Sequence, residues 1–316
     1  MHPNILRALL ATSRNKGFFE KVFPKKSSDY ISKQSSIVLD EFFFTALSTL
    51  NVDYLLECGA HEASASSRFC SMGKQAIAIE ANPLTFRSKT SAAAAHGVQV
   101  LNVGLGSSKG ELEFFIPIQN EMAGNATFQP KETEAYVKQL VEVDTIDNVA
   151  HKYSFDQGFV ALWIDVEGFS REVLKGATKL LEKENCVILK VEVETFPFFE
   201  GQALCTEIND FLCSMGFRPV IVDAEYPRQY NIVFVKEKAI DDLAADIEKS
   251  FGQMTAITFN FHKFISLELN ALKDLIFLGA KEVIFKLFGE DCAHIVLAKL
   301  GSKSSRAHLK EINKVC

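Results

Sequence analysis

The chain of 316 residues lacks the features that would mark it as a membrane or secreted protein. No stretch of about 18 uncharged apolar residues occurs, so a transmembrane helix is not expected. The first residues show neither the long apolar run nor the cleavage site of a signal peptide. The seven cysteines are odd in number and form no C-x-x-C pair, which argues against a disulfide framework and a zinc site. These absences predict a cytoplasmic protein without a membrane span.

Clustered positive charge is missing as well. Residues 51–238 carry 17 basic and 26 acidic side chains, a net charge of −9 within a total of −6. Such a segment would repel a phosphate backbone, and no patch of Arg and Lys interleaved with aromatic residues occurs in it. Nucleic acid is therefore not an expected partner.

The chain has enough apolar residues for a full core. Hydrophobic residues make up 47% of it, and 27 residues are Phe. Apolar runs typical of strands alternate with helical patterns over residues 51–238, which predicts an α/β domain with a doubly wound, mostly parallel sheet. Residues 1–50 are expected to form a helical lead and residues 239–316 a helical extension. Apolar residues repeat at helical spacing over 265–287, which is typical of a helix packed on its own domain, with a homo-oligomer interface as the alternative.

The periodicity also predicts element bounds. The predicted helices are 5–11, 37–50, 84–96, 172–181 and 203–215, with loop between the first two. Beyond the first two strands, the predicted strands are 98–103, 111–116, 140–143, 160–164, 187–194, 217–222 and 231–235. Residues 119–134 lack periodicity and are expected to be a loop, either over the active-site end of the sheet or plainly on the surface.

Two acids follow the apolar run Val160–Ile164. Asp165 and Glu167 lie two residues apart, directly before Gly168 and a predicted helix. Ligands of parallel sheets bind outside the carboxyl ends of the strands, which is where these acids are placed. A single aspartate there often only caps the next helix. The pair before a glycine favours a functional site.

A first strand–turn–helix unit precedes this segment. The strand ends in Glu57, Gly59 marks a tight turn, and a helix begins near Ala63, an arrangement that places a ligand at a helix N-terminus. Only one glycine stands where a dinucleotide fingerprint has three, so NAD and FAD are disfavoured. The next strand ends in Glu80, at the distance where an acid accepts the hydrogens of a ribose diol.

Together these segments resemble the FkbM-type family of S-adenosylmethionine-dependent methyltransferases. The resemblance extends from about Val52 to Lys236, and three positions depart from the family's usual pattern: His61 for Asn, Ala63 for Gly, and Ser170 for Glu. The motifs that carry it are Glu57-Cys58-Gly59-Ala60-His61, Ala78-Ile79-Glu80-Ala81-Asn82-Pro83, Val143-Asp144-Thr145-Ile146-Asp147, and Ile164-Asp165-Val166-Glu167-Gly168 with Val173-Leu174-Lys175-Gly176-Ala177.

The resemblance implies S-adenosylmethionine as the cofactor. Glu80 is expected to take the ribose hydroxyls, and Glu57 to orient the turn or meet the methionine amine. His61 is expected at the methionine end, and Asn82 or Asn102 near the adenosine. The full set of expected cofactor-binding residues is Glu57, Gly59, Ala60, His61, Glu80, Ala81, Asn82 and Asn102.

The resemblance favours O-methylation of a hydroxyl on a sugar or another small polar metabolite. A hydroxyl acceptor must lose its proton, and the carboxylates expected to be catalytic are those of Asp165, Glu167 and Glu194. Glu192 and Glu194 end the next strand and can line the same cleft. No resident metal is expected, although two close carboxylates would suit Mg²⁺ in a Mg-dependent sugar O-methyltransferase. A non-catalytic binding module of the same fold is the other alternative.

Overall fold

The computed structural model describes residues 25–118, 126–130, 135–223, 228–250 and 253. The chain divides into two compact units. One comprises residues 1–38, 222–227 and 251–316, and the other comprises residues 39–221 and 228–250. The second unit holds nearly all described residues. The predicted helix at 5–11 and the apolar repeat at 265–287 lie outside them, and the predicted boundaries at residues 50 and 238 stay a prediction.

Ten strands occur in the described part of the chain. Their bounds are β1 Tyr54–Cys58, β2 Gln75–Ile79, β3 Gln99–Leu101, β4 Gly104–Leu105, β5 Gly110–Pro117, β6 Tyr136–Asp144, β7 Val160–Ile164, β8 Cys186–Glu194, β9 Phe217–Val222 and β10 Gln229–Lys236. The α-helices are α1 Lys25–Thr49, α2 Ser64–Ser71, α3 Pro83–Ser88, α4 Ile146–Lys152, α5 Ser170–Lys175, α6 Thr178–Glu182 and α7 Cys205–Ser214. The 3-10 helices are Thr90–His96, Phe155–Gln157, Glu237–Ala239 and Asp241–Leu243, and residues 244–250 are helical.

The main sheet has seven strands in the order β3-β2-β1-β7-β8-β10-β9. The first five are parallel to one another, and β10 is antiparallel to β8. The chain order reverses between β1 and β7, so the sheet is doubly wound, and the predicted fold class is confirmed. The carboxyl ends of β1, β2, β7 and β8 share one edge, where a doubly wound sheet binds its ligand.

A second, smaller sheet has the order β4-β6-β5. Its formation corrects two predicted strands. The predicted strand 98–103 ends at Leu101 because Gly104–Leu105 pairs instead with Val143 and Asp144 of β6. The predicted strand 140–143 extends over Tyr136–Asp144 because residues 136–143 pair with β5 and Asp144 pairs with β4.

Three predicted helical segments differ from those observed. α1 begins at Lys25, so residues 25–36, predicted as loop, are helical, and they contain no Gly or Pro that would end a helix. The predicted helix 84–96 is broken at Lys89, whose φ of −131° is not helical, although Gly97 ends it as predicted. The predicted helix 172–181 is divided at Gly176 into α5 and α6.

Strand β8 lies in the middle of the core. Its sequence alternates apolar residues with Lys190, Glu192 and Glu194, a pattern that predicts one polar face, yet all nine of its residues are buried. The charge of Lys190 is neutralised by Asp40 at 2.7 Å, and its ammonium stands 3.5 Å from the ring centroid of Trp163. Buried charges occur where they are paired in this way. No helix in the described part of the chain is long and apolar enough to cross a bilayer.

Candidate active site

The turn after β1 is organised by Glu57. One carboxylate oxygen accepts the backbone N–H of Ala65 at 3.2 Å, and the other accepts that of Ser66 at 2.7 Å. These amides belong to the first turn of α2, which has no other acceptors for them. Burial raises the pKa of the Glu57 carboxyl to about 7. Both oxygens therefore accept amides of the helix, and the two roles predicted for this residue, orienting the turn or meeting the methionine amine, stay predictions.

Gly59 brings this turn against the end of β7. Its φ is +78°, a left-handed conformation that favours glycine, and a Cβ built on it would lie 1.7 Å from the carbonyl oxygen of Asp165. The backbone N–H groups of Gly59 and Ala60 donate to the carbonyl of Ile79 at 2.9 and 3.0 Å. The glycine predicted to approach the cofactor therefore also allows contact between two strand ends.

The two departures from the family pattern in this turn have a common conformation. His61 has φ +46° and Ala63 has φ +54°, so both residues are left-handed. Asn and Gly, which the family usually has here, adopt that conformation most easily. His61 replaces the Asn and stands 2.9 Å from the ammonium of Lys89 through Nε2. Ala63 is fully buried, and its methyl group packs in a cluster of small apolar residues.

Glu80 ends β2 and lines a cleft at the edge of the sheet. Its carboxylate accepts the backbone N–H of His61 at 2.9 Å and that of Asn82 at 2.7 Å. Burial raises the pKa of this carboxyl, while the two amides lower it. Each carboxylate oxygen has a further lone pair, so the side chain can still accept hydrogen bonds from a ligand in the cleft.

The two predicted asparagines make backbone contacts at this end. Asn82 is buried, and its Oδ1 caps α3 by accepting the N–H of Leu84 at 3.0 Å. Asn102 donates from its amide to the carbonyl of Glu80 at 2.8 Å. Ala81 and His61 line the cleft with Glu80, whereas neither asparagine is among the described residues that line it.

An apolar wall closes one side of the cleft. Sequence reasoning did not single out its members, which include residues from the small sheet and from the segment 126–130. The rings of Phe114 and Phe128 lie 4.8 Å apart in an edge-to-face arrangement. The alternation that places Phe114 and Ile116 on one face of β5 was the available signal. The apolar side chains of this wall are Val103, Leu105, Phe114 and Phe128.

Three carboxylates meet where β7 and β8 end. One oxygen each from Asp165, Glu167 and Glu192 lies within 4.8 Å of the others, and we call this group the acid cluster. Asp165 and Glu167 line the cleft, as predicted from the spacing. Glu194 is also buried, but it is neither in the acid cluster nor among the described residues lining the cleft. Its catalytic role stays a prediction.

Burial and neighbouring charges shift the pKa values of two residues of the acid cluster. Burial raises the pKa of Asp165, against a hydrogen bond shared with Glu192 and the charge of Lys190. The pKa of Glu192 is raised well above its ordinary value, first by burial and then by the charges of Asp165 and Glu167. Burial and the neighbouring charges thus act in the same direction at Glu192, because adjacent carboxylates resist ionising together.

The backbone around Glu167 is held in an uncommon conformation. Its φ is +48°, and its carbonyl accepts the hydroxyl of Thr127 at 2.7 Å. The described part of the predicted loop 119–134 therefore lies over the cleft, where it contributes Ala126 and Phe128. Ser170, the third departure from the family pattern, donates to the carbonyl of Glu192 at 3.1 Å and so ties α5 to β8.

The cleft suits a nucleoside with a charged group at its far end. Glu80, Asp165 and Glu167 line it together with the apolar wall, so carboxylate acceptors and an apolar surface share one cleft. The turn at Gly59 carries backbone close to this space. These residues fit the cofactor that the motifs predicted.

The solved structures to which the chain is similar are distant. A magnesium protoporphyrin IX methyltransferase from Synechocystis PCC 6803 with bound S-adenosylmethionine is 11% identical, with 73% of this chain and 96% of that chain covered and a TM-score of 0.38. A TehB-like methyltransferase from Corynebacterium glutamicum is 7% identical, with 60% and 86% covered and a TM-score of 0.33. No curated protein matches the chain. At these TM-scores the likenesses carry no argument, and the fold is established by the order of the sheet.

The family is shown by the sequence itself. The model of the methyltransferase FkbM domain matches residues 57–219, which is more than half of the chain. The matched segment runs from Glu57 at the end of β1 into β9 and so contains both the turn with Gly59 and the acid cluster. The chain belongs to the FkbM methyltransferase domain family and is a methyltransferase that uses S-adenosylmethionine.

Proposed function

We propose that the enzyme methylates a hydroxyl group of a sugar or another small polar metabolite. The observation that supports this proposal is the position of Asp165 and Glu167, which line the same cleft as the ribose acceptor Glu80. A hydroxyl becomes a good nucleophile only when its proton is removed, and carboxylates beside the reacting group serve that purpose.

The cofactor is held at the β1 and β2 side of the cleft in this proposal. The remaining lone pairs of Glu80 accept the ribose hydroxyls, and the apolar wall covers the base. The backbone at Gly59 and Ala60 lies along the cofactor. When bound, S-adenosylmethionine supplies an electrophilic methyl group on its sulfonium sulfur.

The residues of the acid cluster then act on the acceptor. Asp165 accepts the hydroxyl proton as the oxygen of the acceptor bonds to the methyl carbon. The electron pair of the broken carbon–sulfur bond would return to sulfur. Glu167, on the same wall, orients the acceptor through its carboxylate. Holding the two reactants in one cleft removes much of the entropic cost of their encounter.

The charges of the cleft favour a neutral, hydroxyl-rich acceptor. Its described lining contains neither Arg nor Lys, so it offers no permanently cationic side chain for a phosphate or an oxyanion. The net charge of −9 over residues 51–238 also opposes polyanions, and nucleic acid stays excluded in this proposal. A cytoplasmic location and a homo-oligomer through the C-terminal segment are further expectations.

Methyl transfer from S-adenosylmethionine labelled in the methyl group tests this function. The purified chain is incubated with a panel of free sugars, glycosides and other polyhydroxylated metabolites, and labelled products are identified by mass. On the acceptor found, Asp165→Asn should lower turnover by roughly 10²–10⁴-fold, the usual contribution of a general base. Binding of the cofactor should stay nearly intact in this variant.

Asp210→Asn is the matched control, because Asp210 is an exposed aspartate outside the cleft. Its turnover should equal that of the unmodified enzyme. Full turnover in both Asp165→Asn and Glu167→Gln would contradict the base assignment. Labelled product from amines but from no hydroxyl acceptor would contradict O-methylation.

A further inference from the structure

The acid cluster has the dimensions of a site for a metal ion. Its three carboxylates each offer one oxygen, and these oxygens lie within 4.8 Å of one another. Mg²⁺ binds oxygens at about 2.0–2.1 Å and Ca²⁺ at about 2.3–2.6 Å, so opposite ligands are about 4–5 Å apart. One ion can therefore contact all three side chains with small rotamer adjustments.

Glu192 gives a second, independent reason to expect a ligand. Its side chain is only 7% exposed. One oxygen accepts the amide of Gln229 at 2.6 Å, whereas Oε2 is buried and no N–H or hydroxyl group donates to it, so only a cation or a proton shared with the carboxyl of Asp165 can satisfy it. A buried carboxylate oxygen without a partner is costly, and structures usually retain one where a proton or cation satisfies it.

The pairing register of β7 and β8 places the side chain of Glu192 beside that of Asp165. Ile164 of β7 pairs with Val191 of β8, so Asp165 and Glu192 follow side by side on the same face. The ring of Trp163 under the ammonium of Lys190 confirms that this face is shared, because these two residues pair one step earlier.

Lys190, a positive charge that acts on the cluster, is already engaged. Lys190 is 4% exposed and forms an ion pair with Asp40 at 2.7 Å. It lowers the cost of ionising Asp165 from a distance, but its ammonium is directed to Asp40 and Trp163. Three carboxylates in partly buried surroundings thus share little positive charge of the protein's own.

We propose that Asp165, Glu167 and Glu192 bind a divalent cation of the hard, oxygen-seeking class represented by Mg²⁺. Carboxylate oxygens are the ligands such ions prefer, and a site with three of them leaves positions for water or for oxygens of a bound molecule. The position of Asp165 and Glu167 on the cleft wall makes those open positions accessible to the acceptor.

The ion deepens the proposed function and rests on it for its role. Two neighbouring hydroxyl oxygens of the acceptor and one water would complete the six positions around Mg²⁺, and the ion would lower the pKa of the hydroxyl to be methylated. Each carboxylate gives only one oxygen to the ion. The second oxygen of Asp165 stays available for the hydroxyl proton.

Binding is tested first, without cofactor or acceptor. The full chain is freed of metal with a chelator and titrated with Mn²⁺, which shares the ligand preference of Mg²⁺, while the spectrum of free Mn²⁺ is followed by electron paramagnetic resonance. We expect one Mn²⁺ per chain, displaced by Mg²⁺. Glu192→Gln should weaken binding at least tenfold, whereas Glu111→Gln, at an exposed glutamate, should leave it unchanged.

Thermal unfolding separates lost binding from lost folding. In metal-free buffer Glu192→Gln should unfold at the same temperature as the unmodified chain or higher, because the substitution removes repulsion within the cluster. Mg²⁺ should raise the unfolding temperature of the unmodified chain and not that of the variant. If Glu192→Gln fails to fold, the same comparison is made with Glu167→Gln.

Each outcome decides between the ion and the shared proton. Absence of Mn²⁺ binding at millimolar concentration, or binding unchanged by both substitutions, overturns the proposal. Methyl transfer at full rate in chelator would leave the proposed function standing and refute the role of the ion in it. Mn²⁺ binding with no transfer to any hydroxyl acceptor would count against the proposed function alone.

Discussion

The two halves of the cleft place carboxylates at the same edge of the sheet but treat them differently. At the ends of β1 and β2, Glu57 and Glu80 each accept two backbone N–H groups. At the ends of β7 and β8, Asp165 and Glu192 face each other and Glu167 instead. Burial raises the pKa in both halves. Amides oppose that rise in the first half, whereas neighbouring carboxylates add to it at Glu192.

Because of this difference, the carboxylates of one half hold the backbone in place, and those of the other half are available for proton exchange or cation binding. Carboxylates with backbone donors fix the turns that carry them, because losing either partner leaves a buried group unsatisfied. Carboxylates that face one another lack such donors and exchange protons or bind cations at small cost to the fold. This difference supports the proposal that the half with Glu57 and Glu80 is the cofactor side and that the acid cluster is the side where the acceptor reacts.

The largest expected effect breaks the contact between the two halves. Gly59→Ala places a Cβ 1.7 Å from the backbone oxygen of Asp165, so one strand end must move. We expect a loss of more than about 4 kcal/mol of unfolding free energy, the range of severe core substitutions. Urea unfolding measures it, and cofactor binding should be lost as well.

Gly73 provides the matched control for this substitution. It has the same φ of +78°, but a Cβ there would meet no atom within 4 Å. Gly73→Ala should therefore cost only the conformational strain, about 1–2 kcal/mol. Equal losses in the two variants would show that the strand ends do not press on each other.

The second-largest expected effect is a pH dependence of the unfolding free energy that arises from Glu57. Its folded pKa of about 7 exceeds the ordinary value of 4.5, so the folded protein binds the proton more tightly than the unfolded chain. The resulting stability is present below the unfolded pKa and is lost as pH rises through the folded one. The loss amounts to roughly 3 kcal/mol between about pH 4.5 and about pH 8.

Glu57→Gln should remove this dependence. Unfolding free energy measured by urea at a series of pH values in chelator should fall less steeply for the variant than for the unmodified chain. The variant should also be less stable at low pH, because Gln presents one acceptor oxygen where the acid presents two. Glu182→Gln, at an exposed position, should retain the slope of the unmodified chain. Parallel slopes for Glu57→Gln would contradict the prediction.

The smallest expected effect concerns the affinity for cofactor. Glu80→Ala should weaken binding of S-adenosylmethionine by roughly 1.5–3 kcal/mol, the usual range for hydrogen bonds to a charged group. Isothermal titration measures the change. Because Glu80 also accepts the amides of His61 and Asn82, Glu80→Gln is tested beside it to retain an acceptor oxygen. Affinity unchanged in both variants would refute the ribose role and leave Glu80 as a support of the turn.

Local features of the sequence predicted one part of this site well. A buried strand, an acid and a glycine follow one another along the chain, so the positions of Glu57, Glu80 and Asp165 at strand ends could be read without a structure. The doubly wound sheet followed from the alternation of strands and helices. The same reasoning placed Glu192 at the next strand end, but its contact with Asp165 depends on the register of β7 and β8.

Other features depend on contacts between distant segments. Phe114 and Phe128 reach the cleft because β5 pairs with β6 and not with the main sheet, a choice that no local pattern specifies. The alternation in β8 predicted a polar face, yet Lys190 is buried. Its ammonium forms an ion pair with Asp40 and contacts the ring of Trp163. The left-handed conformations of His61 and Ala63 became apparent only from the backbone.

The strand order determines when, during translation, the ligand-binding edge of the sheet can form. Tyr54 pairs with Gln75, which leaves the ribosome soon after it, and also with Val160, which leaves much later. A nascent chain that has emerged only through β6 has Glu80 but lacks the strands that complete the edge. Cofactor therefore cannot stabilise early nascent chains, and its rescue of a weakened variant should act only after translation has passed Glu194.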